Sequence, residues 1–186
     1  MRLLVAAEEL LASAGDLTLR QVALRAGVTP PLAHYYFGNR EGLVAALVEE
    51  RAGSRIDELL AAAQKHVAQP LVALTRLMQR LTLLAAHDGF LRRCLLLPAG
   101  DTLRVRLRAG LDQLLQEAQA TGQLRTDLTA GYLAEALLGL CLFPFIDATS
   151  DQDGERAAVL TLRHVALLQD GILSRRRQDT GVIRGK

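Results

Sequence analysis

Apolar residues recur at intervals of three and four along nearly the whole chain, the period of one face of an α-helix. Leu3, Ala6, Ala7, Leu10, Leu11 and Ala14 form the first such stripe, and Gly15 follows as a stop. Thr18 and Gln21 then stand at the spacing of a capping box, in which the Thr18 hydroxyl accepts from the Gln21 N–H and the Gln21 side chain returns to the Thr18 N–H. A short second helix is predicted from there to about Ala26, closed at Gly27, where a tight turn calls for positive φ. Thr29 followed by Pro30 reads as an N-cap with proline at the first helical position, which starts a third helix running to about Phe37. Gly38 ends it, Asn39 caps a fourth over 40–66, and Gly53-Ser54 is where that long helix is expected to bend.

The remainder continues in the same period. Helices are predicted over 70–86, 90–97, 102–120 behind an Asp101 cap, 130–145 and 155–173, with Thr121-Gly122 as a stop and 147–154 as a polar loop. The 130–145 segment is apolar nearly all round, so it is expected to be buried on both sides. The last helix has one stripe at Ala158, Leu162, Val165, Leu168 and Ile172 and another at Val159, Leu160, Ala166 and Leu167, enough to face its own core and a partner at once. The end, 175–186, opens with three arginines and reads as a basic, disordered tail. No internal repeat is visible.

Composition narrows the class. Aromatic residues are 4% of the 186 and Trp is absent, while Leu and Ala dominate, so strand formers are scarce and an all-α fold of about nine helices is expected. Cys94 and Cys141 lie far apart in apolar runs, and the four histidines are scattered, without the spacing of a metal, redox or triad site. No Walker loop, GxSxG or HExxH is present, which argues against catalysis and predicts neither cofactor nor metal. The apolar start is interrupted by Glu8 and Glu9, and the longest apolar run, 136–146, is far short of a membrane span, so a cytoplasmic location is expected. A net charge of +2 does not announce a nucleic-acid partner, and through Arg40 there are four arginines (Arg2, Arg20, Arg25, Arg40) against three acids (Glu8, Glu9, Asp16).

Spacing says more than charge. Val22-Ala23, Gly27-Val28, Ala33 and Tyr36 meet the needs of two short crossed helices joined by a tight turn: Ala23 leaves room for the crossing, Gly27 turns the chain, and Val22, Val28 and Ala33 fill the shared core. The run LRQVALRAGVTPPLAHYYFGNREGL, residues 19–43, resembles the DNA-binding segment of the TetR family, with its Ala-Gly-Val turn, aromatic helix end, and cap, base and acid leading into helix four. The resemblance implies a helix-turn-helix over about 19–38 with recognition helix 30–37, inside a DNA-binding domain of residues 1–45. It further implies a ligand-binding and dimerisation domain over 46–174. Carried over position by position, the DNA contacts fall on Arg20, Thr29, Pro30, Pro31, Leu32, His34, Tyr35, Tyr36 and Arg40, with Arg40 in place of the usual lysine and Phe37 left to the core. Pro31-Leu32-Ala33 contains no bidentate base reader, so specificity is expected from apolar contacts, His34, Tyr35 and DNA shape. Many relatives carry a basic arm before helix one, whereas Met1 lies almost inside it, which predicts modest affinity or a start upstream.

For the second domain, a pocket among the central helices is expected from Met78, Leu81, Leu84, Phe90, Cys94, Leu97, Leu111, Leu114, Leu138, Cys141, Leu142 and Phe145, a set that suits an apolar effector. Polar anchors for it come from His87, Asp88, Arg92, Arg93 and Tyr132, and Arg104, Arg108 and Asp112 read as a solvated helix face with an Arg108–Asp112 pair. The family's dimer interface maps onto the last two helices, through Gly131, Gly139, Ala158, Leu162, Val165, Leu168 and Ile172. The expected function is a ligand-responsive transcriptional regulator, a repressor that binds a near-palindromic double-stranded operator as a homodimer and is released by a small effector. The rival is a ligand-binding or interaction protein of this fold with weak or lost DNA binding.

Overall fold

The computed structural model describes residues 2–14, 18–66 and 68–172, with side chains for all of these except 11–14, 99 and 168–172. The expected stop at Gly15 and the basic tail lie outside the described residues. Every regular element among them is helical: α1 (Arg2–Ala14), α2 (Leu19–Ala26), α3 (Pro30–Phe37), α4 (Arg40–Val48), α5 (Ser54–Gln64), α6 (Pro70–His87), α7 (Gly89–Leu96), α8 (Asp101–Ala120), α9 (Ala130–Leu142) and α10 (Asp151–Ile172). A π-helical turn, Glu49–Gly53, joins α4 to α5, so residues 40–64 form one unbroken helical stretch. Counting it once gives nine helices among the described residues, the number expected.

That π turn replaces the simple bend anticipated at Gly53-Ser54. Leu43 and Leu47 face one core, whereas Val48, Ala52, Ile56 and Ala63 face another. The wider turn re-phases the apolar stripe between them, a use consistent with the wider turn of a π-bulge. The small core comprises Ala6, Ala7, Leu19, Val22, Ala23, Ala33, Leu43 and Leu47 from α1 to α4. The large core is built from α5 to α10, with α6 packed against α8 and α10, and α9 against α8 and α10. Val44 and Phe90 touch both, so the two units meet on apolar side chains.

Three boundaries differ from the sequence expectation, each for a local reason. Asp101 lies inside α8 and caps nothing, because the 3₁₀ turn Pro98–Gly100 runs straight into the helix and the Asp101 carboxylate pairs with Arg104 instead. Gly100 makes that entry possible, since a Cβ there would stand 1.8 Å from the Cys94 carbonyl oxygen. α9 stops at Leu142 and tightens into a 3₁₀ turn over Phe143–Phe145, where Pro144 has no N–H to continue the α ladder. α10 starts four residues earlier than expected because Ser150 and Asp153 form a reciprocal capping box: the Asp153 N–H donates to the Ser150 hydroxyl at 3.2 Å, and the Ser150 N–H donates back to the Asp153 carboxylate at 3.2 Å.

Candidate nucleic-acid interface

The helix-turn-helix forms as its residues dictate. Thr18 accepts from the Gln21 N–H at 3.2 Å, and the Thr18 N–H donates to the Gln21 side-chain oxygen at 3.1 Å, completing the capping box at the start of α2. At its end Gly27 sits at φ 69°, ψ 32°, and the Val28 N–H donates to the Ala23 carbonyl at 2.9 Å. Val22, Ala23 and Ala33 are fully buried at the crossing of α2 and α3, so alanine is the size the contact allows. Arg25, still exposed, pairs with Glu9 on α1 at 3.0 Å, and Arg51 pairs with Glu8 at 2.5 Å. These pairs brace α1 against α2 and the π turn.

What remains outward on α3 is the set expected to meet DNA. Pro31, Leu32, His34, Tyr35 and Tyr36 are exposed, Pro30 is half-buried, and Ala33 and Phe37 turn inward, Phe37 onto the small core. Tyr35 is 83% exposed and Tyr36 64%, their rings edge-to-face with centroids 5.5 Å apart. Thr29 sits at the N-cap position with extended backbone, yet its hydroxyl makes no capping bond and stays available. The His34 Nδ1 donates to the Gly38 carbonyl at 3.1 Å, so in the neutral ring the outward Nε2 is an acceptor. Arg20, one residue into α2, is exposed and enters no ion pair among the described residues. Arg40 opens α4 beside the Asn39 cap, whose side chain accepts from the Gly42 N–H at 2.8 Å. The face therefore joins two arginines, hydroxyl donors and an apolar tip of Pro31 and Leu32, the mixture that positions a helix on phosphates and reads thymine methyls.

The residues expected to line an effector pocket are placed differently. Met78, Leu81, Cys94, Leu111, Leu114, Leu138, Cys141 and Leu142 are buried in the large core, with Leu84 and Phe90 packed on it. Phe145 joins a separate cluster with Ala85, Ala86, Ala157 and Ala158, while Leu97 is 52% exposed where α7 gives way to the 3₁₀ turn. Burial pushes the Cys94 thiol up to about 11 and the Cys141 thiol up to about 12, so both are neutral packing groups. A cavity of about 240 Å³ lies instead between α5 and α8, touched by Leu114 alone of that set, and a groove of about 290 Å³ lies between α1 and α2.

The charged anchors also find structural partners. Arg92 is buried, its Nη1 donating to the Ala85 and Ala86 carbonyls at 3.0 Å, which caps the end of α6. Asp88 accepts from the Phe90 and Leu91 N–H groups at the start of α7 and pairs with Arg55 on α5. His87, Arg93 and Tyr132 are exposed. Arg104 is not a solvated residue: its Nη1 donates to the Leu95 and Leu97 carbonyls at 2.7 and 2.8 Å. Arg108 pairs across to Glu135 on α9 at 3.3 Å instead of with Asp112, whose carboxylate accepts from Gln116 on the next turn of α8 at 2.8 Å. No cluster of His, Cys, Asp or Glu suited to a metal ion occurs among the described residues. No helix among them is long and apolar enough to cross a membrane.

On the last two helices the stripes separate by burial. Ala158 and Val165 are buried within their own protomer and Leu162 is half-buried, while Val159, Leu160, Ala166 and Leu167 are exposed. Gly131 and Gly139 are exposed, and nothing stands within 4 Å of the place a Gly139 Cβ would occupy. The side chains of Leu168 and Ile172 lie outside the described set. Tyr132, Phe143 and Ile146 add to the exposed apolar surface nearby.

A sequence model described as "Bacterial regulatory proteins, tetR family" matches residues 3–47. The HTH-type transcriptional regulator BetI of Rhizobium meliloti (strain 1021) is 42% identical over 53 residues, which is 28% of this chain and 26% of that protein; the match therefore spans about a quarter of each. Solved structures extend the likeness of fold to the rest. SmeT, the repressor of the Stenotrophomonas maltophilia multidrug efflux pump SmeDEF, superposes with a TM-score of 0.70 at 22% identity over 94% of this chain and 90% of its own. SmeT in complex with triclosan also gives 0.70 at 22% identity, over 90% and 89%. The TetR-family repressor FadR of Thermus thermophilus, in complex with lauroyl-CoA, gives 0.69 at 20% identity over 97% and 98%.

Proposed function

We propose that the chain, whose residues 3–47 match the TetR family of bacterial regulatory proteins, is a cytoplasmic, ligand-responsive repressor of that family. In this reading a homodimer binds a near-palindromic operator and is released by a small molecule. The observation that carries it is the outward face of α3: five consecutive-turn residues, Pro31, Leu32, His34, Tyr35 and Tyr36, are exposed on a helix whose inward positions are locked by Ala33 and Phe37. Large aromatic side chains left in solvent at this position are explained by a partner that covers them. Arg20 and Arg40 supply phosphate contacts, and Thr29 and Tyr36 donate to backbone oxygens.

Dimerisation is proposed through α9 and α10, by the exposed Val159, Leu160 and Leu167 with Gly139 giving close approach. Such a dimer sets the two recognition helices about 34–36 Å apart, one turn of DNA. The effector reading draws on SmeT with triclosan and FadR with lauroyl-CoA, both ligand complexes of the same fold.

The test is salt dependence of DNA affinity. The logarithm of the affinity for duplex should fall linearly with the logarithm of salt, and Arg20→Ala or Arg40→Ala should lower the slope by about 1 for each phosphate contact removed. Binding that is absent at low salt would favour the rival reading, a ligand-binding protein of this fold without DNA activity.

A further inference from the structure

We infer that the cavity between α5 and α8 is a binding site for a small monocarboxylate with a compact apolar body, whose head competes with Glu49 and Asp57 for Arg106. The regulatory consequence rests on the proposed operator-binding function; the binding site itself does not. Gly110 and Leu60 form the floor: a Cβ on Gly110 would stand 2.4 Å from the Leu60 Cδ2, so α5 rests on bare backbone of α8. The volume, about 240 Å³, is below the roughly 300–1,000 Å³ of pockets for drug-sized ligands, which restricts the occupant to a compact molecule.

Charge selects its head group. Arg106 is the one charged side chain among the lining residues, and the Gln64 and Gln113 amides at the rim are exposed, adding further donors. Arg106 holds Glu49 through Nη2 at 2.5 Å and both Asp57 oxygens through Nη1 at 3.0 and 3.1 Å. Those two carboxylates are more than half exposed, at 53% and 58%, so either one can return to water when it leaves Arg106. A ligand carboxylate that replaces one of them leaves the planar guanidinium fork a matching partner. The apolar body then lies against Leu60, Ala63 and Ala109, the apolar part of the lining.

The position gives the exchange a consequence. Glu49 is the first residue of the π turn and Asp57 lies one helical turn beyond its end, so Arg106 staples α8 across the joint between the two cores. Removing Arg106 from either carboxylate releases that joint.

The experiment titrates the full chain, without DNA, with cyclohexanecarboxylate, its neutral analogue cyclohexanecarboxamide, and acetate, followed calorimetrically. The acid should bind saturably and at least about tenfold more tightly than either comparison compound. Arg106→Gln should weaken it by at least about tenfold, and so should Ala109→Phe, which fills the cavity from an exposed position while far-UV circular dichroism stays unchanged. Amide exchange at residues 49–53 should quicken when the acid is bound. Absence of saturable binding, equal binding of the carboxamide, or undiminished binding to Ala109→Phe would overturn the site. A protein that binds no operator yet passes these titrations would sink the regulatory reading and leave the site standing.

Discussion

At the scale of single residues, the arginines divide into those that hold the molecule together and those that face outward. Arg92 and Arg104 donate to carbonyls at the ends of α6 and α7, where four C=O groups per helix lack partners. Arg92→Met should cost about 2–4 kcal/mol in denaturant unfolding, because the buried Ala85 and Ala86 carbonyls lose charged donors. Arg20→Ala should leave stability within about 0.5 kcal/mol while weakening DNA binding, since its side chain is exposed and outside the ion pairs. Asp153 carries a pH signature. Hydrogen bonds from the Ser150 hydroxyl and N–H, with a lesser one from Thr149, hold its carboxyl below the ordinary value of 3.8. A depressed folded-state pKa gives stabilisation that is present above the unfolded value and lost as pH falls through the folded one. The stability difference between the wild type and Ser150→Ala should therefore hold steady down to about pH 5 and narrow below about pH 4 in urea titrations, leaving the part due to the Asp153 N–H bond to the Ser150 hydroxyl.

At the scale of elements, legibility in the sequence follows how local the determining force is. The turn from α2 to α3 was readable because Thr18, Gln21, Gly27 and Pro30 each act on backbone within four residues. The start of α10 was equally local, but Ser150 and Asp153 sat inside a run of polar residues that also spells a loop. Burial of Arg92 and the pairing of Arg108 with Glu135 were not readable, because they depend on which helices cross and where. The same holds for the effector pocket: Leu and Met at helical spacing mark a core, and the sequence alone does not say where packing leaves space. Gly154 is an example of a crossing that only the fold reveals. A Cβ there would stand 2.3 Å from the Ala86 carbonyl oxygen and 2.8 Å from the Arg92 Nη1, so α10 crosses α6 on bare backbone. Gly154→Ala should destabilise by about 1–3 kcal/mol by thermal or denaturant unfolding, despite alanine's better helix propensity. An unchanged or raised midpoint would contradict that crossing.

At the scale of the whole molecule, two cores joined by one helical stretch allow the outward face of α3 to be moved without being rebuilt. The π turn, the Arg55–Asp88 pair and Phe90 lie together at that joint, and Phe90 touches both cores. In the proposed function, the exposed stripe on α10 is the surface that would meet a second copy. Leu167 is 71% exposed and Leu160 48%, so Asp at either position should leave the protomer folded and shift the species seen by light scattering from dimer to monomer. Retention of the dimer in the double variant would place the interface elsewhere.

The most direct measurement of the central claim is selection of binding sites from random duplex DNA with the purified protein, in parallel with Tyr36→Ala and Arg40→Ala. A dimeric operator-binding regulator predicts enrichment of one near-palindromic site, with half-sites about one helical turn apart, that both variants bind poorly. No enrichment at low salt, or enrichment that the two variants reproduce equally, would contradict it.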